Sequence, residues 1–110
     1  MAFHTKLPIY KVAYDLLSEA TACTANFPRP FRRIGDRVRD LCIDTVLLIA
    51  KANAAVNKVP FLAELLDRNG ELELLLRLCV DKRFISRAQY AKAIGLTQSV
   101  GRQANGWKGK

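Results

Sequence analysis

The sequence predicts an all-α fold, an antiparallel up-down-up-down four-helix bundle, and three observations predict it. Apolar residues recur at alternating steps of three and four along nearly the whole chain, which marks one face of a helix. Prolines and short polar links fall between the stretches that keep this phase. No alternation of apolar and polar residues competes as a strand. The chain has 110 residues, 50% of them apolar and 25% charged, which is enough for one core and one domain over 1–110. The predicted helices cover about 8–26, 33–58, 61–81 and 86–107. Each is about 30 Å long at the 1.5 Å rise of an α-helix.

The first segment carries Ile9, Ala13, Leu16, Ala20, Cys23 and Phe27 on one face, with Pro8 suited to its first turn. It ends at Asn26–Phe27–Pro28–Arg29–Pro30, where two prolines forbid continuation. The second segment carries two stripes. Ile34, Val38, Leu41, Thr45, Leu48, Ala52, Ala55 and Val59 form the first, broadened by Cys42, Ile49 and Val56. Ile43, Leu47, Ala50 and Ala54 form the second on another flank. A helix apolar on most of its circumference is covered on most of it. Three neighbouring helices cover one stripe, so the second predicts contact with another copy of the chain.

Pro60 marks the next link, and the third segment carries Leu62, Leu65, Leu72, Leu76 and Cys79, with Leu66, Leu75 and Leu78 beside them. Asn69–Gly70 is its weak point, since Gly costs about 1 kcal/mol against Ala in a helix interior and the dipeptide is also a turn signal. The apolar phase is preserved across it, which favours one helix over a break. In the fourth segment Ser86-Arg-Ala-Gln89 has capping-box spacing. Tyr90, Ala93, Thr97, Val100, Ala104 and Trp107 then hold the helical step, with Arg87, Lys92 and Arg102 on the other side. Gly95, Gly101 and Gly106 weaken this helix and allow close approach of another helix or a phosphate backbone.

Charge is one-sided. From Lys82 to Lys110 there are seven basic side chains and no Asp or Glu, which accounts for +7 of the formal net +8. The first 81 residues hold 11 basic against 10 acidic groups. Within them Arg29, Arg32, Arg33, Arg37 and Arg39 cluster at the link into the second helix. In an antiparallel bundle that link shares an end with the third-to-fourth link. Arg29, Arg32 and Arg33 are therefore expected beside Lys82, Arg83 and Arg87. Convergent cations without acidic compensation suit polyanions, RNA or DNA above all. The candidate nucleic-acid-binding residues are Arg29, Arg32, Arg33, Arg37, Lys82, Arg83, Arg87, Lys92, Arg102 and Lys108. Aromatics near them are few (Phe31, Phe84, Trp107), which favours backbone contact over base stacking.

Other chemistries lack their parts. His4 is the only histidine and precedes the first helix, so no triad or Cys/His site can be assembled. Glu71 and Glu73 sit two apart and diverge on a helix, and no Glu-x-x-His pair exists for a carboxylate-bridged metal. No enzyme, metal or cofactor is expected. The three cysteines, Cys23, Cys42 and Cys79, fall on apolar faces as reduced thiols of a cytoplasmic protein. No membrane-spanning run occurs, and no apolar signal stretch precedes Pro8.

Order and spacing carry a resemblance. Leu7-Pro-Ile-Tyr10, Phe27-Pro-Arg29, a basic start of the second helix leading to Leu-Cys-Ile-Asp-Thr-Val, Glu73-Leu-Leu-Leu-Arg77-Leu before Asp81-Lys-Arg-Phe-Ile-Ser86, Tyr90, Val100-Gly-Arg102 and Gly106-Trp107-Lys108 together resemble the Avd family. These are the accessory variability determinant proteins of diversity-generating retroelements. The small proteins encoded in intervening sequences of 23S ribosomal RNA genes look similar. The resemblance implies a four-helix bundle that forms a homopentameric barrel, and binding of nucleic acid and of a reverse transcriptase in support of cDNA synthesis during mutagenic retrohoming. It implies no catalysis by the accessory protein itself. The alternative is a scaffold of the intervening-sequence type with an acidic or RNA partner. The sequence departs from the family pattern at Asn69–Gly70 and in the small residues Ala91, Ala93, Thr97 and Ala104 of the fourth helix.

Overall fold

The helical phase read from the sequence becomes four α-helices: α1 (Pro8–Thr24), α2 (Arg32–Ala54), α3 (Val59–Asp81) and α4 (Arg87–Lys108). Short 3₁₀ turns at His4–Lys6 and Arg29–Phe31 precede α1 and α2. The structure is a computed structural model and describes residues 3–110, so the first two positions of the expected domain lie outside the described residues. No strand occurs among those residues. Contacts join α1 to α2, α2 to α3, α3 to α4 and α4 back to α1, which closes a ring of four. The helices run antiparallel: Arg37 of α2 meets Glu71 of α3, and Asp44 further along α2 meets Arg68 further back on α3. The result is a rod of 43 × 21 × 21 Å.

The core is the stripe from each helix. Ile9, Ala13, Leu16 and Ala20 of α1 meet Val38, Leu41, Cys42 and Ile49 of α2. Leu62, Leu65, Leu72 and Leu76 of α3 and Ala93, Val100 and Ala104 of α4 complete it. Each fully buried Leu, Ile or Val contributes about 1.5–3 kcal/mol of burial. Buried threonines stay compatible with this core because their hydroxyls turn back to the helix. Thr45 Oγ1 donates to the Leu41 carbonyl at 2.9 Å, and Thr24 Oγ1 to that of Ala20 at 2.7 Å. All three cysteines are free and buried. Burial pushes the Cys42 thiol up to about 12 and that of Cys79 to about 11. They remain protonated and poor nucleophiles at neutral pH.

The helix ends fall within two residues of the sequence expectation except at the end of α2. Helix α2 stops at Ala54, not near residue 58, and α3 begins at Val59. Pro60 is accommodated in the first turn of α3, where its missing N–H costs nothing. The chain must therefore reverse before it. Ala55 is extended, and the Asn57 side-chain oxygen accepts from the Val59 N–H at 3.2 Å, an Asx turn that opens α3. Ala55 and Val59 consequently leave the α2 stripe. Between the alternatives at Asn69–Gly70, the continuous helix is what forms. Asn69 packs inward, 5% exposed, and Gly70 sits on the outer surface.

Gly35 explains how the end of α1 crosses α2. A Cβ there would lie 3.2 Å from Thr24 Cβ and 3.3 Å from a Phe27 ring carbon. A side chain at this position would need Thr24 or the Phe27 ring to give by a few tenths of an ångström.

Candidate nucleic-acid interface

The two basic links are pinned together by aromatic rings. Phe84, in the α3–α4 link, packs against Phe31 with ring centroids 4.5 Å apart and against Phe27 at 5.4 Å. This fixes the Arg29–Phe31 turn and the start of α2 beside the Lys82–Ser86 link. Arg29, Arg32 and Arg33 come from one link, and Lys82, Arg83 and Arg87 from the other. All six are exposed. Among the described residues none of the six has an acidic partner. Phe31 and Phe84 thus hold the two links together by packing against each other, and Phe31 remains exposed.

The link itself is built on an unusual residue. Helix α3 closes with a Schellman pair: the Phe84 N–H donates to the Cys79 carbonyl at 2.8 Å and the Arg83 N–H to that of Val80 at 3.1 Å. The residue that must turn left-handed is Arg83, at φ 62°, the only non-glycine residue with positive φ among those described. Glycine is the common occupant of such a position, and a side chain there costs about 1–2 kcal/mol. Three residues later Ser86 caps α4. Its hydroxyl accepts from the Gln89 N–H at 3.0 Å, and the Gln89 side-chain oxygen accepts from the Ser86 N–H at 2.8 Å. The capping box read from the sequence is therefore present, and α4 starts with Arg87 as its first residue. A concavity of about 810 Å³ lies over this link, lined by Arg77, Asp81, Arg83, Ser86, Arg87 and Tyr90. Arg77 is held by Asp81 at 3.1 Å, which leaves Arg83 and Arg87 as its uncompensated cations. An anion placed here meets two guanidinium groups and the positive end of α4 together.

The other four predicted residues stand apart from this end. Arg37 makes two charge-assisted bonds to Glu71, at 2.7 and 2.8 Å. These bonds lower the pKa of Glu71 and raise that of Arg37. Lys92 pairs with Glu19 of α1 at 3.1 Å. Arg102 and Lys108 are without an acidic partner among the described residues. Lys108 closes α4 at the opposite end, roughly 30 Å from Arg87 at 1.5 Å per residue. Arg39 is likewise engaged, by Asp36 and by the Thr24 hydroxyl at 2.6 Å. Sequence spacing revealed none of these long-range partners, because Glu71 and Glu19 lie on other helices.

The second α2 stripe lies on the outer surface of the bundle. Ile43 is 43% and Leu47 52% exposed. Ala50 is half-buried and Ala54 exposed. Leu74 of α3, at 69%, is a further exposed apolar residue that helical phase alone did not single out.

Comparison with known proteins adds the family. The family model described as bAvd-like matches residues 7–110. The chain belongs to the bAvd-like family. No curated protein matches it. The match covers all four helices and both basic links, so the Avd resemblance extends across the whole bundle of this bAvd-like chain, and with it membership of a retroelement accessory family. No described helix is long and apolar enough to cross a membrane. Nor does any described group of three or more His, Cys, Asp or Glu form a metal-binding cluster.

Proposed function

We propose that this bAvd-like protein is a non-catalytic accessory that binds RNA or DNA through the backbone and serves a retroelement reverse transcriptase as its partner in cDNA synthesis. The observation that carries the nucleic-acid reading is the cluster of six exposed, unpaired cations, Arg29, Arg32, Arg33, Lys82, Arg83 and Arg87, at one end of the rod. Cations elsewhere on α2 and α3 are largely neutralised by neighbours, and these are not. Such a surface gains affinity by releasing counterions from phosphates, with little dependence on sequence. The family match supports the reverse transcriptase as partner.

The protein acts as a homo-oligomer, a pentamer by the family resemblance. The exposed Ile43–Leu47–Ala50–Ala54 stripe is the surface offered for that contact, since monomers rarely leave such a stripe in water. Substituting Leu47→Arg should give a smaller species by light scattering, and an unchanged mass removes the stripe from the interface. For the main proposal, Arg29, Arg33, Arg83 and Arg87 are changed together to Glu, and binding of a structured RNA is followed by fluorescence anisotropy. Binding should be lost while the helical circular dichroism is retained. A folded quadruple variant that binds as wild type overturns the reading.

A further inference from the structure

The end of the rod opposite the arginines carries a second cationic surface, built differently. The stretches that meet there, 3–14, 45–63 and 103–110, contain no Asp or Glu. Their cations are all lysines, Lys6, Lys11, Lys51, Lys58, Lys108 and Lys110. Among the described residues none of them pairs with an Asp or Glu. Lys58 Nζ donates instead to the main-chain oxygen of Lys110 at 2.8 Å, which ties the last turn of α4 to the link before α3.

Between α1 and α4 this end holds a mostly apolar cavity of about 500 Å³, lined by Leu7, Pro8, Gln103, Gly106, Trp107 and Lys110 among others. That volume is in the range of small-molecule sites. Gly106 is exposed with nothing within 4 Å of its Cβ position, so the α4 side of the cavity is open. Trp107 is the chain's only tryptophan and is half-buried. Phe31 and Phe84 are engaged with other rings, whereas no ring packs on Trp107 among the described residues. Its indole N–H bonds to no described group, and the one buried unpaired side-chain polar atom among those residues is Asn69 Oδ1. The indole N–H therefore reaches solvent. Lys11 stands one turn beyond Leu7 and Pro8 on α1 and is exposed, as is Lys110.

An apolar cavity with an unengaged indole, rimmed by lysines and without carboxylates, complements a planar group tied to negative charge. An unpaired nucleobase is such a group, while in a duplex its faces are stacked on neighbours. We propose that this cavity takes one base of a single-stranded nucleic acid, laid against Trp107, with the flanking phosphates on Lys11 and Lys110. This rests on the nucleic-acid reading above and adds a base contact some 30 Å along α4 from Arg87, at 1.5 Å per residue. Stacking on an aromatic ring tolerates every base, so the gain is affinity for single strands without sequence reading.

Trp107 emission reads this cavity directly, because the chain has no other tryptophan. The full chain is titrated with 12-nucleotide oligothymidylate and with an abasic strand of the same length, and total binding is followed by anisotropy of labelled strands. Oligothymidylate should quench Trp107 and bind about fivefold or more tightly than the abasic strand, the scale of one stacked base. The abasic strand should bind without quenching. Gly106→Leu, at an exposed helical position with room for a side chain, should obstruct the cavity. It should abolish the quenching, bring oligothymidylate to the abasic affinity and leave the abasic affinity unchanged. Lys11→Gln combined with Lys110→Gln should weaken the quenching. Binding without quenching, equal quenching by the abasic strand, or quenching that survives Gly106→Leu overturns the cavity's role and leaves the nucleic-acid reading standing. Emission that shifts with protein concentration alone assigns the cavity to a second copy of the chain and likewise overturns it. Failure of both strands to bind removes the nucleic-acid reading and the cavity's role with it.

Discussion

The seam between α2 and α3 and the end formed by the two basic links use the same residue types to opposite purpose. Along the seam every arginine has found a carboxylate: Arg37 bonds Glu71, and Arg68 bonds both Asp44 and Glu64. At the end, Arg29, Arg32, Arg33, Lys82, Arg83 and Arg87 have none among the described residues. The difference is not one of local concentration, since Arg37 and Arg39 lie within six residues of Arg33 in the sequence. It comes from what the neighbouring helix supplies. Helix α3 presents Glu71 to Arg37 of α2, and α2 presents Asp44 to Arg68 of α3, while the chain after Asp81 holds no acid to answer the arginines beside it. Exposed ion pairs contribute little to stability, so their main consequence here is to withdraw charge from the outer field. Where α3 runs out of carboxylates, the charge of α2 becomes available to a polyanion.

Changing which cations are paired breaks or sharpens this contrast. The largest effect is expected from the quadruple reversal at the end, which should lower affinity by a thousandfold or more, since each lost phosphate contact also adds a repulsive charge. The matching change on the seam, Arg68→Glu, should act on the fold instead. It sets a third carboxylate against Asp44 and Glu64 and should cost about 1 kcal/mol or more by denaturant unfolding, given about 0.2–1 kcal/mol for each exposed pair removed. Its effect on binding should be small.

Arg83→Gly is expected to separate stability from binding. Glycine accepts the left-handed turn that arginine occupies at a cost, so the variant should gain about 1 kcal/mol of stability in thermal or denaturant melts. It should also lose severalfold in affinity for nucleic acid. A variant that gains stability and keeps full affinity would show that Arg83 is tolerated in the turn rather than used there.

The smallest effect concerns Glu71. Its pKa is lowered, chiefly by the hydrogen bonds from Arg37. The contribution of this pair is therefore present above the unfolded-state carboxylate pKa and lost as pH falls through the lower folded value. The stability difference between wild type and Glu71→Gln should vanish over that acidic window. At neutral pH Glu71→Gln should release Arg37 and tighten nucleic-acid binding by about twofold, the scale of one weak exposed pair.

The fold was legible because its signals are local. The phase of Ile9, Ala13, Leu16 and Ala20, or of Leu62, Leu65, Leu72 and Leu76, needs nothing but the helical repeat, and all of these side chains are buried. The Ser86–Gln89 cap was readable for the same reason. The end of α2 was not, because apolar Ala55, Val56 and Val59 continue the helical phase through a turn set by Asn57 and Pro60. The site was legible in part. That Arg29–Arg33 and Lys82–Arg87 share one end follows from topology. That Arg37 and Lys92 are engaged does not, since Glu71 and Glu19 reach them from other helices. Nothing in the residue types announces a left-handed Arg83, because sequence reading expects glycine there. Asn69, which reads as a turn signal beside Gly70, is instead a buried amide facing α4.

If unpaired cations at one end carry the phosphate contacts, the salt dependence of binding reports on each of them. The slope of log K against log salt on a duplex should fall in magnitude by about 0.9 for each of Arg29, Arg33 and Arg87 changed to Gln. It should stay unchanged when Arg37 and Lys92, held by Glu71 and Glu19, are changed in the same way. Equal changes from the two sets, or none from the first, would contradict the claim.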